Sequence, residues 1–182
     1  EIAQCLVGSE MCIRDSHQRA QTFSVAVELP YMRSTSKNGT SILFFSKKEI
    51  QTEFIRKHKT QTGYINVSSP ELTAIDLIEN EKSVGGLNRV CTVLNELVDV
   101  VNLDSLNDSF FKASSTPVFQ RLGYIMEHIL EREDLAETLY SKMEVAGLKF
   151  RKVPFKVNKP TGYCEVDKKW KVIINQEIEI DE

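Results

Sequence analysis

The chain has 182 residues, of which 41% are hydrophobic and 27% charged, and its formal net charge is −3. This composition is typical of a globular protein and argues against one that coats nucleic acid throughout. No apolar run approaches the roughly 20 residues of a membrane-spanning helix, so no membrane partner is expected. Outside the N-terminal stretch the cysteines are Cys91 and Cys164. They lie far apart without metal-ligand spacing, which favours a reducing, cytoplasmic setting.

The N-terminal stretch LVGSEMCIRDS, residues 6–16, has no helical or strand periodicity. Written back into codons, Leu6–Asp15 resembles one reading frame of the transposase adapter used in short-read library preparation. A secretory signal needs a basic region and a longer apolar run, and neither is present. We therefore expect residues 1–16 to be a sequencing artefact, and residues 17–182 to be the native domain.

The next elements in chain order are predicted strands. Thr22–Pro30, TFSVAVELP, is rich in Val and Phe and alternates in part, which predicts a strand ended by its proline. Thr40–Lys47, TSILFFSK, predicts a second strand. Lys37–Gly39 has the composition of a turn, which is compatible with a hairpin between the two strands. Gly63–Val67 predicts at most a short third strand.

The apolar pattern then changes from a period of two to a period of about 3.6 residues. Ser69 followed by Pro70 predicts a helix start, because serine can cap and proline suits the first helical position. Ser68 with Glu71 offers a competing capping box. Further helices are predicted over Leu87–Val101, Leu103–Ala113, Thr116–Leu130 and Leu135–Met143. Gly123 lies on an apolar helix face, where a missing side chain permits close approach of a neighbour.

The pattern returns to strand type after Gly147, although Pro154 restricts the segment KFRKVPFKV to an edge or a bulge. The order of strands, helices and strands predicts an α+β fold. The predicted architecture is a small mixed sheet of N- and C-terminal strands, covered by a central layer of about five helices. Acidic residues dominate 71–144, whereas basic residues dominate 47–59 and 149–171. This asymmetry marks either an anionic partner or solvated faces of compensating charge.

No set of residues predicts catalysis, a metal site or a bound cofactor. His17, His58 and His128 have no second ligand at metal spacing. The segment VGGLN, which contains Gly85 and Gly86, lacks the lysine of a P-loop and the full dinucleotide fingerprint. It is predicted to be a turn between helices.

An alternative interpretation concerns Asp167 and Lys169, whose spacing imitates the end of a metal-dependent nuclease motif. Such a site needs further carboxylates to hold the metal, and Glu165 is the candidate. The segment also reads as an ordinary turn before a strand. A metal-dependent nucleic-acid-processing domain therefore remains a second hypothesis.

A basic tract, KKEIQTEFIRKHKTQTGY, mixes cations with aromatic residues and can contact nucleic acid. Its candidate contacts are Lys47, Lys48, Arg56, Lys57 and Lys59. The alternative is a mobile, solvated loop. A third hypothesis is therefore a DNA-binding accessory domain that uses the basic flanks.

The segments SSPELTAIDLI, GGLNRVCTVLNEL and QRLGYIME follow one another in the chain, with HQRAQTF before them and KKWKVIINQEIEID after them. In this order they resemble the C-terminal domain of the AbiEi family, the antitoxins of type IV toxin–antitoxin and abortive-infection systems. The resemblance covers nearly all of residues 17–182. The positions that match the family are Ser69, Pro70, Glu71, Thr73, Asp76, Gly85, Gly86, Gln120, Arg121, Gly123, Trp170 and Asn175.

The resemblance implies a non-enzymatic antitoxin and regulator in phage defence. Its functional partner would be a nucleotidyltransferase toxin encoded next door, which it counteracts without forming a stable complex. Family members usually carry an N-terminal winged helix that binds the promoter, and this winged helix is expected to be missing here. DNA binding is therefore expected mainly from the winged helix rather than from residues 17–182. The resemblance implies no catalytic residues.

Overall fold

The computed structural model describes residues 4–5, 22–30, 32–37 and 40–179. Of the stretch predicted to be an artefact, all but Gln4–Cys5 lies outside the described residues, and so does His17. The chain divides into a strand-rich unit, residues 1–73, and a mainly helical unit, residues 74–182. No helix among the described residues has the length and apolar character needed to cross a bilayer.

The described part of the first unit contains one six-stranded sheet. Its strands are β1 (Gln4–Cys5), β2 (Thr22–Glu28), β3 (Thr35–Lys37), β4 (Thr40–Lys47), β5 (Ile55–Thr60) and β6 (Gly63–Ser68). They lie in the order β3-β4-β2-β1-β6-β5. A 3-10 turn, Thr52–Phe54, precedes β5. The predicted strands in this unit are thus confirmed as β2, β4 and β6, whereas β1, β3 and β5 are additional strands.

The pairing of β2 with β4 differs from a hairpin. The two strands are neighbours, but they run parallel, with Thr22 opposite Ser41 and Glu28 opposite Lys47. The reason is that β3 lies between them in the chain and pairs antiparallel with β4. The chain reverses direction once between β2 and β3 and again between β3 and β4, so β4 runs in the same direction as β2. Residues 38–39 of the predicted turn lie outside the described residues.

The first helix, α1 (Pro70–Glu79), begins as the sequence predicts. The amide of Leu72 donates to Oγ of Ser69 at 3.3 Å, so Ser69 is the capping residue. The hydroxyl of Ser68 lies 2.6 Å from Oγ1 of Thr73. Both interactions are buried, and they satisfy polar groups at the helix start that would otherwise lack a hydrogen-bond partner.

The helical unit contains fewer helices than predicted. Besides α1, its described residues form α2 (Leu87–Leu97), α3 (Thr116–His128) and α4 (Glu133–Val145), which makes four helices in the described chain rather than about five. The predicted helix over Leu103–Ala113 is wrong, since only two 3-10 turns form there. Oδ1 of Asn102 accepts from the amide of Asp104, and Oδ1 of Asn107 accepts from the amide of Phe110. Such side-chain bonds to nearby amides compete with a continuous helix.

The C-terminal strands form a sheet of their own, so the prediction of a single sheet from both ends of the chain is wrong. The strands β7 (Val153–Pro154) and β8 (Val172–Ile173) pair parallel with each other. Pro154 has no N–H to extend the ladder. Directly after β8, the amide of Ile174 donates a hydrogen bond to the carbonyl of Glu165 at 2.8 Å, within the C-terminal segment. The α+β class is nevertheless confirmed.

Trp170 is the largest fully buried side chain of the helical unit. Its ring lies against α3 at Gly123, where an added Cβ atom would overlap two carbons of the ring. Nε1 of Trp170 donates to Oε2 of Glu127 at 2.7 Å. Nε2 of Gln120 donates to the carbonyl of Trp170 at 2.6 Å and to that of Arg151 at 2.8 Å. The close approach predicted at Gly123 is therefore confirmed, and its partner is the tryptophan.

We predict that Gly123→Ala lowers the free energy of unfolding by about 3 kcal/mol, because the added methyl group overlaps a ring that is itself fully buried. Urea denaturation measures the loss. Gly162→Ala is the matched control, since a Cβ there meets nothing within 4 Å. Equal stability of the two variants would contradict the proposed contact. Trp170→Leu combined with Gly123→Ala is expected to cost less than the sum of the single changes.

Candidate functional site: a buried ion cluster

A glycine turn after α1 places a carboxylate inside the helical unit. Gly85 and Gly86 have φ values of +104° and +94°, which residues other than glycine rarely adopt. The amide of Gly86 donates to the carbonyl of Glu81 at 2.7 Å and closes the turn. Glu81 is consequently only 3% exposed. The predicted turn between helices is confirmed, and it determines the position of an ionisable group.

The cation nearest to this carboxylate is Lys156, whose Nζ lies 3.1 Å from Oε1 of Glu81. The two side chains are 19% and 5% exposed, respectively. Neither oxygen of Glu81 accepts a well-aligned hydrogen bond from the described residues, although the distance to Lys156 is that of an ion pair. Charge attraction depends on distance rather than on alignment, so we regard the pair as mainly electrostatic.

Arg121 on α3 contributes a second cation, which is buried more deeply than Lys156. Its Nε donates to the carbonyl of Pro117 at 3.3 Å, and the residue is 8% exposed. Burial lowers the pKa of the Arg121 guanidinium, whereas the negative charges of Glu81 and Glu79 act in the opposite direction. The carboxylate of Glu81 therefore interacts electrostatically with both Lys156 and Arg121.

Asn175 holds the chain segment that carries Lys156. Its Oδ1 accepts from the amide of Lys156 at 2.8 Å, and its Nδ2 donates to the carbonyls of Lys156 and Lys159 at 2.9 and 3.1 Å. Three bonds from one amide side chain fix both the position and the direction of this backbone. Asn175 thus positions the lysine for its partner on the glycine turn.

The residues that match the family fall into three groups. Gly85, Gly86, Arg121 and Asn175 contribute to the ion cluster. Gln120, Gly123 and Trp170 form the core contact described above. The others belong to α1 and its cap, where Ser69, Pro70 and Thr73 lie at the start, and Glu71 and Asp76 are buried at 7% and 0% exposure.

Sequence reasoning missed Glu81 and Lys156, the central pair of the cluster. Both belong to segments whose composition is typical of solvent-exposed turns and edges. Glu81 follows the end of α1 in NEKSVGG, and Lys156 is one of several alternating cations in KFRKVPFKV. The available signal was the pair of glycines, which indicated a sharp turn but gave no indication of what the turn buries.

The residues of the nuclease hypothesis take part in structural contacts. Oδ1 of Asp167 accepts from the amide of Trp170, and its Oδ2 lies 3.2 Å from Nε2 of His128. Nζ of Lys169 lies 2.8 Å from Glu127 and 3.1 Å from Glu137. No group of three or more His, Cys, Asp or Glu side chains that could hold a metal ion occurs in the part of the chain that the structure describes. Metal-dependent cleavage therefore gains no support here.

The five basic candidates for nucleic-acid contact do not form one patch. Lys47 and Lys48 lie at the end of β4, whereas Arg56, Lys57 and Lys59 belong to β5. Three strands separate β4 from β5 in the sheet. Four strand spacings of ~4.8 Å place the two groups roughly 19 Å apart. The interpretation of this tract as a mobile loop is wrong for Arg56–Lys59, which is part of a paired strand.

Residues 15–128 match the family model described as the AbiEi antitoxin C-terminal domain. The chain therefore belongs to the family of AbiEi antitoxin C-terminal domains. The matched region contains α1, the glycine turn, α2 and α3, and it ends at the last residue of α3. Lys156, Trp170 and Asn175 lie beyond it. Among curated proteins, none matches the chain in sequence.

The fold resembles that of the RV2827C protein from Mycobacterium tuberculosis, known from a crystal structure. The TM-score is 0.54 and the sequence identity 12%. The similarity covers 87% of this chain but 56% of the other, so the chain spans little more than half the length of that protein. At this identity the similarity supports the fold alone.

We predict that Lys156→Met lowers the free energy of unfolding by about 3 kcal/mol, because it leaves the buried carboxylate of Glu81 with less compensating charge. Chemical denaturation measures the change. The exposed Lys168 provides a matched control as Lys168→Met. Glu81→Gln combined with Lys156→Met should recover part of the loss. If the Lys156 and Lys168 variants are equally stable, Lys156 does not compensate the buried charge of Glu81.

The lowered pKa of Glu127 predicts that the stability of the fold depends on pH. Burial by itself raises the pKa of Glu127, but hydrogen bonds from Lys169 and Trp170 outweigh it, so the pKa lies below its ordinary value of 4.5. A carboxylate with a lowered pKa stabilises the fold above pH 4.5, and this contribution is lost as the pH falls through the folded-state value. Urea midpoints should therefore fall less on acidification in Glu127→Gln than in the unsubstituted chain. Glu96→Gln, at an exposed position on α2, should leave the dependence unchanged.

Proposed function

We propose that this domain acts as the antitoxin of a type IV toxin–antitoxin system, in which it counteracts a nucleotidyltransferase toxin encoded beside it. The observation that carries the proposal is the family match over residues 15–128. The resemblance of the ordered segments SSPELTAIDLI, GGLNRVCTVLNEL and QRLGYIME supports the same assignment and the role in phage defence.

We infer that the antitoxin acts without catalysing a reaction. The polar side chains that could form a reactive set are engaged in packing contacts: Asp167 caps a turn, Lys169 bridges two carboxylates, and Glu81 is buried with Lys156. Groups that are buried or held in this way are poorly placed to contact a substrate. Antitoxicity would then depend on the folded surface rather than on a reactive centre.

The partner relations follow from the family. The antitoxin is expected to neutralise the toxin without a stable complex between the two proteins. Promoter binding is assigned to the winged helix that family members carry on the N-terminal side of this domain. The domain described here would supply the antitoxic activity.

We predict that co-expression of the intact antitoxin restores growth to cells that express the neighbouring toxin. Colony counts with and without toxin induction measure the effect. The same experiment with residues 17–182 tests whether this domain suffices. Continued growth arrest in the presence of soluble, folded intact antitoxin would contradict the proposal.

A second readout tests the absence of a stable complex. Affinity purification of the tagged antitoxin from rescued cells should not retain the toxin, although both proteins are present in the lysate. Retention of the toxin at equal amounts through size-exclusion chromatography would contradict the type IV assignment while leaving antitoxicity itself intact.

A further inference from the structure

The hairpin of β5 and β6 presents a basic and aromatic surface. The register places Lys57 opposite Asn66 and Lys59 opposite Tyr64. Because side chains alternate along a strand, these four residues share one face of the hairpin, and Arg56 lies on the other. We call the four residues the hairpin face. Its two lysines are about 7 Å apart along β5, a distance of two strand residues.

Solvent exposure and charge distinguish the hairpin face from an ordinary sheet surface. Lys57 and Lys59 are exposed, and neither forms an ion pair with a carboxylate among the residues that the structure describes. Tyr64 is 69% exposed. An aromatic ring in water beside two exposed cations offers both electrostatic attraction and a surface for stacking.

We propose that the hairpin face binds single-stranded nucleic acid. The ammonium groups of Lys57 and Lys59 would neutralise neighbouring phosphates, and the ring of Tyr64 would stack on an unpaired base. The amide of Asn66 adds a donor and an acceptor that can bond a base edge or a sugar hydroxyl.

The aromatic residue favours a single strand over a duplex. In a duplex the faces of the bases are stacked on one another, so Tyr64 would find no free face, and only the lysines would bind. In a single strand the lysines and the tyrosine can bind together. This interaction is separate from the proposed antitoxic activity, since it needs neither the toxin nor the buried ion cluster.

Fluorescence anisotropy with the full chain tests the proposal. The probes are labelled 12-nucleotide oligo-U and oligo-dT at low salt, with a labelled duplex of the same length as a comparison. The full chain should bind a single-stranded probe more tightly than the duplex. Binding of oligo-U alone would indicate contacts to the sugar hydroxyl, and binding of both probes would indicate recognition through phosphates and bases; either supports the proposal.

Two variants separate charge from stacking. Lys57→Gln with Lys59→Gln should weaken binding about tenfold or more and make the slope of log affinity against log salt shallower by roughly 1.4, because two phosphate contacts are lost. Tyr64→Ala should weaken binding about fivefold or more, whereas Tyr64→Phe should retain it. All four positions are part-exposed or exposed, so melting temperatures should stay close to that of the unsubstituted chain.

The matched control is Lys82→Gln with Lys112→Gln, which removes the same charge at exposed positions outside the hairpin. It should bind as tightly as the unsubstituted chain. Three results would overturn the proposal: no binding of either single-stranded probe at low salt, tighter binding of the duplex, or equal weakening in the control and hairpin variants. Growth rescue is measured in parallel: failure of the unsubstituted chain concerns the antitoxin proposal alone, whereas the hairpin variants should rescue growth as well as the unsubstituted chain does, because the proposed interaction does not need the toxin.

Discussion

The packing of the helical unit depends on the contact between the indole of Trp170 and the backbone of α3 at Gly123. The ring occupies the space that a side chain at position 123 would require. This close approach brings the main chain at residue 170 within reach of Gln120. The side-chain amide of Gln120 donates hydrogen bonds to the carbonyls of both Trp170 and Arg151. A single apolar contact thus determines how two C-terminal segments attach to one helix.

The same contact explains why charged groups gather around the tryptophan. A buried indole N–H requires an acceptor, and Glu127 provides it. That carboxylate needs a counter-charge, which Lys169 supplies while also reaching Glu137 and lying 5.4 Å from the centre of the Tyr140 ring. Lys169, whose spacing from Asp167 imitates a nuclease motif in sequence, therefore has a structural explanation.

The ion cluster around Glu81 has a different physical character. Moving ions out of water costs free energy, which their attraction offsets only when distances and hydrogen bonds are favourable. Here Lys156 is close, but the oxygens of Glu81 lack well-aligned hydrogen bonds from the described residues. We infer that the cluster selects one arrangement of the glycine turn and the C-terminal segment more than it adds to stability. Asn175 supports this arrangement from the backbone of Lys156.

The sequence by itself determined the local features of this protein: the cap at Ser69, the turn at Gly85 and Gly86, the space at Gly123, and the α+β class. Each depends on the geometry of a few neighbouring residues or on short-range periodicity. The order of the segments SSPELTAIDLI, GGLNRVCTVLNEL and QRLGYIME also indicated the family. The hydrogen bonds from backbone amides to the side chains of Asn102 and Asn107, which compete with a helix, are local too. The apolar periodicity over Leu103–Ala113 nevertheless led to the prediction of a helix there.

Only the tertiary structure decided which distant residues meet. The parallel pairing of β2 with β4, the separation of Lys47 from Lys59, and the encounter of Glu81 with Lys156 all join segments that carry no mark of their partners. Pairing between strands and between ions depends on how the whole chain buries its apolar surface, and many registers satisfy the same alternation of residues. The partner of Gly123 was undetermined for the same reason: a glycine indicates that something lies close, and the packing of the complete unit makes it Trp170.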